Sequence, residues 1–165
     1  MRTIHLKVKK ARKVYKLHVI KPDCVYNNVL AAKFINCIMK KGKKSTAEKV
    51  FYDALAEVKK RVNDAEPFDV FKTAIDNVKP IVEVKSRRVG GATYQVPVEV
   101  NTKRQQSLAI RWILEGARGQ KGKPMALKLA AEFVDAYNKR GSAITLRENT
   151  HKMAEANRAF AHFAW

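Results

Sequence analysis

Acidic residues are scarce in this chain. Only 15 Asp and Glu stand against 34 Lys and Arg in 165 residues. The acids are scattered and mostly suit helix surfaces, so the sequence offers none of the clustered carboxylates that a metal-dependent nuclease needs. Cysteine is scarce as well. Cys24 and Cys37 form no C-x-x-C pair and cannot make a disulfide framework, so they read as reduced thiols of an intracellular protein. His5, His18, His151 and His162 have no acid or thiol at a metal-ligand spacing. No apolar run approaches the ~20 residues of a membrane span. Lys7, Lys9, Lys10, Arg12 and Lys13 interrupt any apolar core of signal-peptide type. Internal repeats are lacking too. No cofactor, metal or small-molecule substrate is expected from such a chain.

What remains is charge and an ordinary core. The formal charge is +19 and the hydrophobic share is 46%, so disorder throughout is excluded and one domain with a real core fits the length. A compact body so charged repels itself unless it meets a polyanion. Nucleic acid is the first candidate, because phosphate contacts release condensed counterions.

Residues 1–21 carry Arg2, Lys7, Lys9, Lys10, Arg12, Lys13, Lys16 and Lys21 with no acid. Such a block reads as an arm that lies along phosphates, although Ile4, Leu6 and Val8 alternate as a short strand would. Residues 22–165 read as a single helical domain. Leu30, Phe34 and Ile38 recur every four residues, flanked by Val29, Ile35 and Met39, with Asn27 or Asn28 as cap and Gly42 as stop. Ser45-Thr46-Ala47-Glu48 predicts a capping box for a second helix facing inward through Val50, Phe51, Ala54, Leu55, Val58 and Val62. Pro67 opens a third, with Phe68, Phe71, Ile75 and Val78 as its stripe, and Pro80 ends it.

The period then changes to two. Val82, Val84, Ser86 and Arg88 alternate with Glu83, Lys85 and Arg87. After Gly90-Gly91, Tyr94, Val96, Val98 and Val100 alternate again. Two such runs around Gly-Gly predict a β-hairpin at about residues 81–100, an arm of about 26 Å at roughly eight residues per strand. Helices return after Asn101. Leu108, Trp112 and Ile113 carry the fourth, to Gly119. Pro124 opens the fifth, with Leu127, Ala130, Phe133, Val134 and Tyr137 inward, to Gly141. The sixth runs from about Arg147 to Ala164 through Met153, Ala156, Phe160 and Phe163. The expected fold is mainly α: a six-helix body with one protruding hairpin between the third and fourth helices.

Three basic constellations stand out. Lys40, Lys41, Lys43 and Lys44 surround Gly42 in a loop, where ammoniums reach phosphates without desolvating a core. A P-loop is excluded there, since Cys37 stands where its first glycine belongs. Lys85, Arg87, Arg88, Lys103 and Arg104 cluster along and beside the hairpin. Arg supplies a planar fork for phosphates and a face for bases, and Tyr94 either stacks on a base or packs at the hairpin root. Gly116, Gly119 and Gly122 lie with Arg118 but lack dinucleotide-site spacing, and Arg111 and Arg118 follow one helix edge. For each of these the plain reading is a solvated basic surface. A DNA-binding module and an RNA-modifying enzyme are the other classes weighed. The hairpin argues against the first, and the missing Cys/His or carboxylate constellation against the second.

Asn28-x-Leu30, Phe34-Ile35, Gly42-Lys43-Lys44, Val50-Phe51 and Ala54, the hairpin string from Val82 to Gly91 continued by Tyr94 to Val100, and His151 to His162 together resemble the universal small-subunit ribosomal protein seven family, in its bacterial-type branch. The resemblance covers about Lys21 to Trp165. The arm before Lys21 departs from the usual bacterial pattern, and many bacterial relatives carry a tail beyond the position of Trp165. The resemblance implies a primary binder of small-subunit ribosomal RNA in its 3′ major domain, one that nucleates assembly of the subunit head. It implies a place at the subunit interface near the exit-site tRNA and the mRNA exit channel, with ribosomal proteins nine and eleven as neighbours. The setting is a cytoplasmic ribosome, with a mitochondrial or plastid ribosome as the alternative. On this reading the ribosomal RNA contacts are Arg2, Lys7, Lys9, Lys10, Arg12, Lys13, Lys40, Lys41, Lys43, Lys44, Lys103, Arg104, Arg111 and Arg118. Lys85, Arg87, Arg88, Arg147, Lys152 and Arg158 face tRNA and mRNA.

Overall fold

A computed structural model of the chain describes residues 19–63 and 65–163. Six α-helices and one antiparallel hairpin follow each other as α1 (Val29–Ile38), α2 (Lys44–Arg61), α3 (Pro67–Val78), β1 (Val82–Val89), β2 (Ala92–Glu99), α4 (Thr102–Gly119), α5 (Met125–Tyr137) and α6 (Ser142–Ala156), then a 3₁₀ segment (Arg158–Phe163). The mainly helical body with a hairpin between the third and fourth helices is the architecture the periodicity predicts.

The core is built around aromatic rings from four helices. Phe34, Phe51, Phe71 and Phe133 are fully buried. Phe71 meets Phe34 and Phe51 edge-on at 5.2 Å and Phe133 at 5.3 Å between centroids. Edge-to-face contacts of this kind add ~1 kcal/mol each beyond area burial. They lock α1, α2, α3 and α5 together. Near the N-terminal end Tyr26 stacks on Phe68 at 4.3 Å, and buried Asp23 accepts from the Tyr52 hydroxyl at 2.5 Å and from the Tyr26 amide at 3.1 Å. Burial, reinforced by the hydrogen bond to Asp23, pushes the Tyr52 phenol well above its ordinary value.

Several local expectations shift. Asn28 is the cap of α1, accepting from the Leu30 amide at 2.8 Å. The capping box does not form: α2 starts at Lys44 with Lys43 as N-cap, two residues earlier than a Ser45 cap requires, and Glu48 faces the Lys44 ammonium at 3.8 Å instead of reaching back to Ser45. On α5 the fully buried positions are Leu129, Ala130, Glu132, Phe133 and Ala136, while Leu127 is only half-buried. This helix packs against α2, α3, α4 and α6, so no single stripe describes it.

The last helix begins at Ser142 rather than Arg147, and Met153 is 53% exposed. Its start is fixed from outside. The Ser142 hydroxyl and the Ala143 amide both donate to Glu132 Oε1, at 3.0 and 2.9 Å. A carboxylate there satisfies an orphan N–H and faces the positive end of the helix dipole. Gly116 of α4 leaves room for this junction, since a Cβ there would lie 2.1 Å from Ser142 Oγ and 2.8 Å from Glu132 Oε1.

Candidate nucleic-acid interface

The loop between α1 and α2 turns sharply because Lys41 (φ 53°) and Gly42 (φ 73°) take left-handed backbone conformations. The turn closes with the Lys43 amide donating to the Lys40 carbonyl at 3.1 Å. Lys40, Lys41, Lys43 and Lys44 are all exposed. Behind the loop, Lys40, Lys43 and Arg118 line one groove with Met39 and Met125. Arg118 also lines a second groove with Cys37, Ile110 and Arg111. Cys37 and Ile110 in turn line a third, with Ile20, Lys33 and Lys103. The shared walls make one continuous basic face from the loop across the end of α1 to the outer edge of α4.

Local structure holds this face in shape. Arg118 Nη2 donates to the Cys37 carbonyl at 3.2 Å, near the C-terminal end of α1, where a cation is favoured. Lys33 donates to Gln106 Oε1 at 2.9 Å, tying α1 to α4. Burial pushes the Cys37 thiol up, against the pull of Arg118 and Arg111. Lys33 is a member that the sequence reading missed. Its signal was its place two turns before Lys40, on the outer side of α1. Ile20 sits on this face, so the chain leading in from the basic arm meets it there. Arg2, Lys7, Lys9, Lys10, Arg12 and Lys13 lie outside the described residues.

The hairpin and the C-terminal elements make a second basic region. Gly90 (φ 57°) and Gly91 (φ 90°) form the turn, and the register sets Arg87 opposite Tyr94 and Arg88 opposite Thr93. Tyr94 packs against Phe160 at 5.3 Å and Phe163 at 5.0 Å. It is therefore a packing residue, held by the 3₁₀ segment rather than by the hairpin root. Arg87 is half-buried, whereas Lys85, Arg88, Lys152 and Arg158 are exposed. Arg158 lies 3.4 Å from Glu155.

Several of the expected contacts have partners within the fold. Lys85 lies 3.2 Å from Glu83 Oε1, and Lys44 3.8 Å from Glu48 Oε1. Arg104 donates through Nε and Nη2 to Glu83 Oε2, both at 3.3 Å, and so anchors the hairpin. Arg147 is half-buried and donates through Nη1 to the Asn77 carbonyl. The same Asn77 donates to the Ala136 and Tyr137 carbonyls at 3.0 and 3.1 Å, so Arg147 straps α6 onto the ends of α3 and α5. Nearby, the Ile81 amide donates to His151 Nε2 at 3.1 Å, which requires the neutral imidazole with its proton on Nδ1. Burial and then the Arg147 charge hold the His151 pKa below its usual value.

Among the described residues, no group of three or more His, Cys, Asp or Glu side chains is placed to hold a metal ion, and no helix is long and apolar enough to cross a membrane. Residues 9–158 match the family described as Ribosomal protein S7p/S5e. The chain belongs to this family. The match reaches back into the basic arm, earlier than the motifs after Lys21, and ends where the 3₁₀ segment begins. A relative from Rhodopirellula baltica is 61% identical over 144 residues, covering 87% of this chain and 92% of its own length. Relatives from Desulfotalea psychrophila and Thermotoga petrophila are each 53% identical over 154 residues, 93% of this chain and 98% and 99% of theirs. All three are named small ribosomal subunit protein uS7. Membership of the S7p/S5e family makes the role structural rather than enzymatic.

Proposed function

We propose that this S7p/S5e member binds small-subunit ribosomal RNA directly, in the 3′ major domain, and starts assembly of the subunit head. The observation that carries the reading is the continuous basic face made by Lys33, Lys40, Lys43, Lys103, Arg111 and Arg118. It lies on α1, α4 and the loop after α1, and receives the chain leading in from the arm. Phosphate contacts of this kind set register and orientation. A-form RNA hides its base edges in a deep, narrow major groove, so shape is the main source of specificity.

The arm of residues 1–21 and the Lys40–Lys44 loop would grip the RNA, with the helical domain as the rigid part. The hairpin would extend away from that grip, with Lys85, Arg87 and Arg88 towards the exit-site tRNA and the mRNA exit channel. Lys152 and Arg158 would flank it, and ribosomal proteins nine and eleven would be the neighbours. The hairpin suits such a reach because Arg104–Glu83 and His151–Ile81 fasten its foot.

Chemical footprinting of the full chain on small-subunit ribosomal RNA tests the assignment. Protection concentrated in the 3′ major domain is expected. Protection confined to another domain would contradict it.

A further inference from the structure

The groove between the end of α1 and the middle of α4 has features that phosphate contact does not call for. It measures about 490 Å³, a size typical of clefts that take small ligands. Ile110 and Leu114 supply apolar wall, Arg111 and Arg118 supply charge, and Glu115 brings a carboxylate into the basic face. An acid facing a polyanion weakens binding unless it has a donor to meet. The phosphodiester backbone carries no amine, whereas the Watson–Crick edges of cytosine, adenine and guanine do. Arg118 donates to the Cys37 carbonyl at 3.2 Å, and a guanidinium plane offers a face on which a base stacks.

We propose that this groove receives one unpaired nucleotide of the bound RNA. The base lies against the Ile110–Leu114 wall and the Arg118 plane, its exocyclic amine donates to Glu115, and its phosphate pairs with Arg111. The inference rests on the reading of this face as RNA-binding and names the part of the RNA that it takes. Cys37, in the wall of the groove, reports occupancy directly. Cys24 is exposed in the turn after Asp23 and serves as the internal reference.

The test uses the full chain and three short RNA helices: fully paired, with one bulged cytidine, and with one bulged uridine. At position 4 cytidine has an amine that donates to a carboxylate, whereas uridine has a carbonyl that a carboxylate repels and only its N3–H to donate, so Glu115 held at position 4 separates them by about tenfold. The bulged cytidine helix is expected to bind tightest and to slow N-ethylmaleimide alkylation of Cys37 relative to Cys24. Glu115→Ala is expected to remove the preference for cytidine while leaving affinity for the paired helix equal or higher, because a repulsive charge is gone. Equal affinity for all three RNAs, with Cys37 alkylated alike in each complex, would overturn the base pocket and leave the basic face standing. No binding of any helix and no protection of Cys37 would overturn the RNA-binding reading of the face itself.

Discussion

Arg104 holds Glu83 at the foot of the hairpin, with two of its nitrogens 3.3 Å from the same carboxylate oxygen. Glu83 is only 8% exposed, and Lys85 meets its other oxygen at 3.2 Å. A buried carboxylate that loses a partner costs ~1–3 kcal/mol, with the lower end expected here because Lys85 remains. Arg104→Ala should therefore lower unfolding free energy by about 1 kcal/mol. The neighbouring exposed Lys103→Ala should change stability by less than about 0.5 kcal/mol and weaken RNA binding instead. Denaturant unfolding beside RNA titration separates the two. Equal stability in both variants would contradict the anchoring role.

Gly116 is the second structural point open to test. A methyl group there would meet Ser142 Oγ at 2.1 Å and the Glu132 carboxylate at 2.8 Å. Gly116→Ala should cost about 2 kcal/mol, the usual scale for overpacking. Adding Ser142→Ala should recover part of that loss, which a double-mutant cycle measures. Full stability in Gly116→Ala alone would mean that the α4–α5–α6 junction is looser than described.

The hairpin foot should also be sensitive to acid. His151 accepts from the Ile81 amide, and burial followed by Arg147 lowers its folded pKa; Glu155 and Arg158 line the same cleft. The unfolded imidazole titrates near ~6.5. Below that value the unfolded chain takes up a proton that the folded chain resists. The contribution to stability is therefore complete above the unfolded pKa and is lost as pH falls through it towards the folded one. The melting temperature of the parent should fall more than that of His151→Asn between about pH 7.5 and 5. Protection of the Ile81 amide against hydrogen exchange should fall with it. Identical pH profiles in the two proteins would contradict the assignment.

For the hairpin the prediction is functional. Arg87→Ala with Arg88→Ala should leave assembly of the subunit head largely intact and reduce exit-site tRNA occupancy by about tenfold, if the pair makes one or two charged hydrogen bonds. Reconstitution followed by tRNA binding reads both effects. Collapse of assembly in this variant would make the hairpin an assembly element instead.

Elements governed by local periodicity were legible before folding was seen. The hairpin followed from two alternating runs around Gly90-Gly91, and α1 from its apolar spacing and Asn28. The start of α6 was not legible, because its cap, Glu132, comes from another helix. Nothing local separates that acid from a surface one. The same limit applies to the cations. Arg104, Arg118 and Arg147 look alike in the sequence, yet the groups they donate to lie 21, 81 and 70 residues away in the chain. Residue type pointed to a nucleic-acid partner, and the family resemblance pointed to RNA. Only tertiary structure shows that Arg104 and Arg147 hold the fold, that Arg111 lines the basic face, and that Arg118 does both.

The most direct test of the central claim is a salt titration of binding to the 3′ major domain of small-subunit ribosomal RNA, beside an unrelated structured RNA and a DNA duplex. All three should weaken as salt rises, by about 0.7–0.9 decades per decade of salt for each phosphate neutralised. A strong preference for the ribosomal fragment should persist across the range, because shape adds to charge. Equal affinities that vanish together would contradict it and leave only a general binder of polyanions.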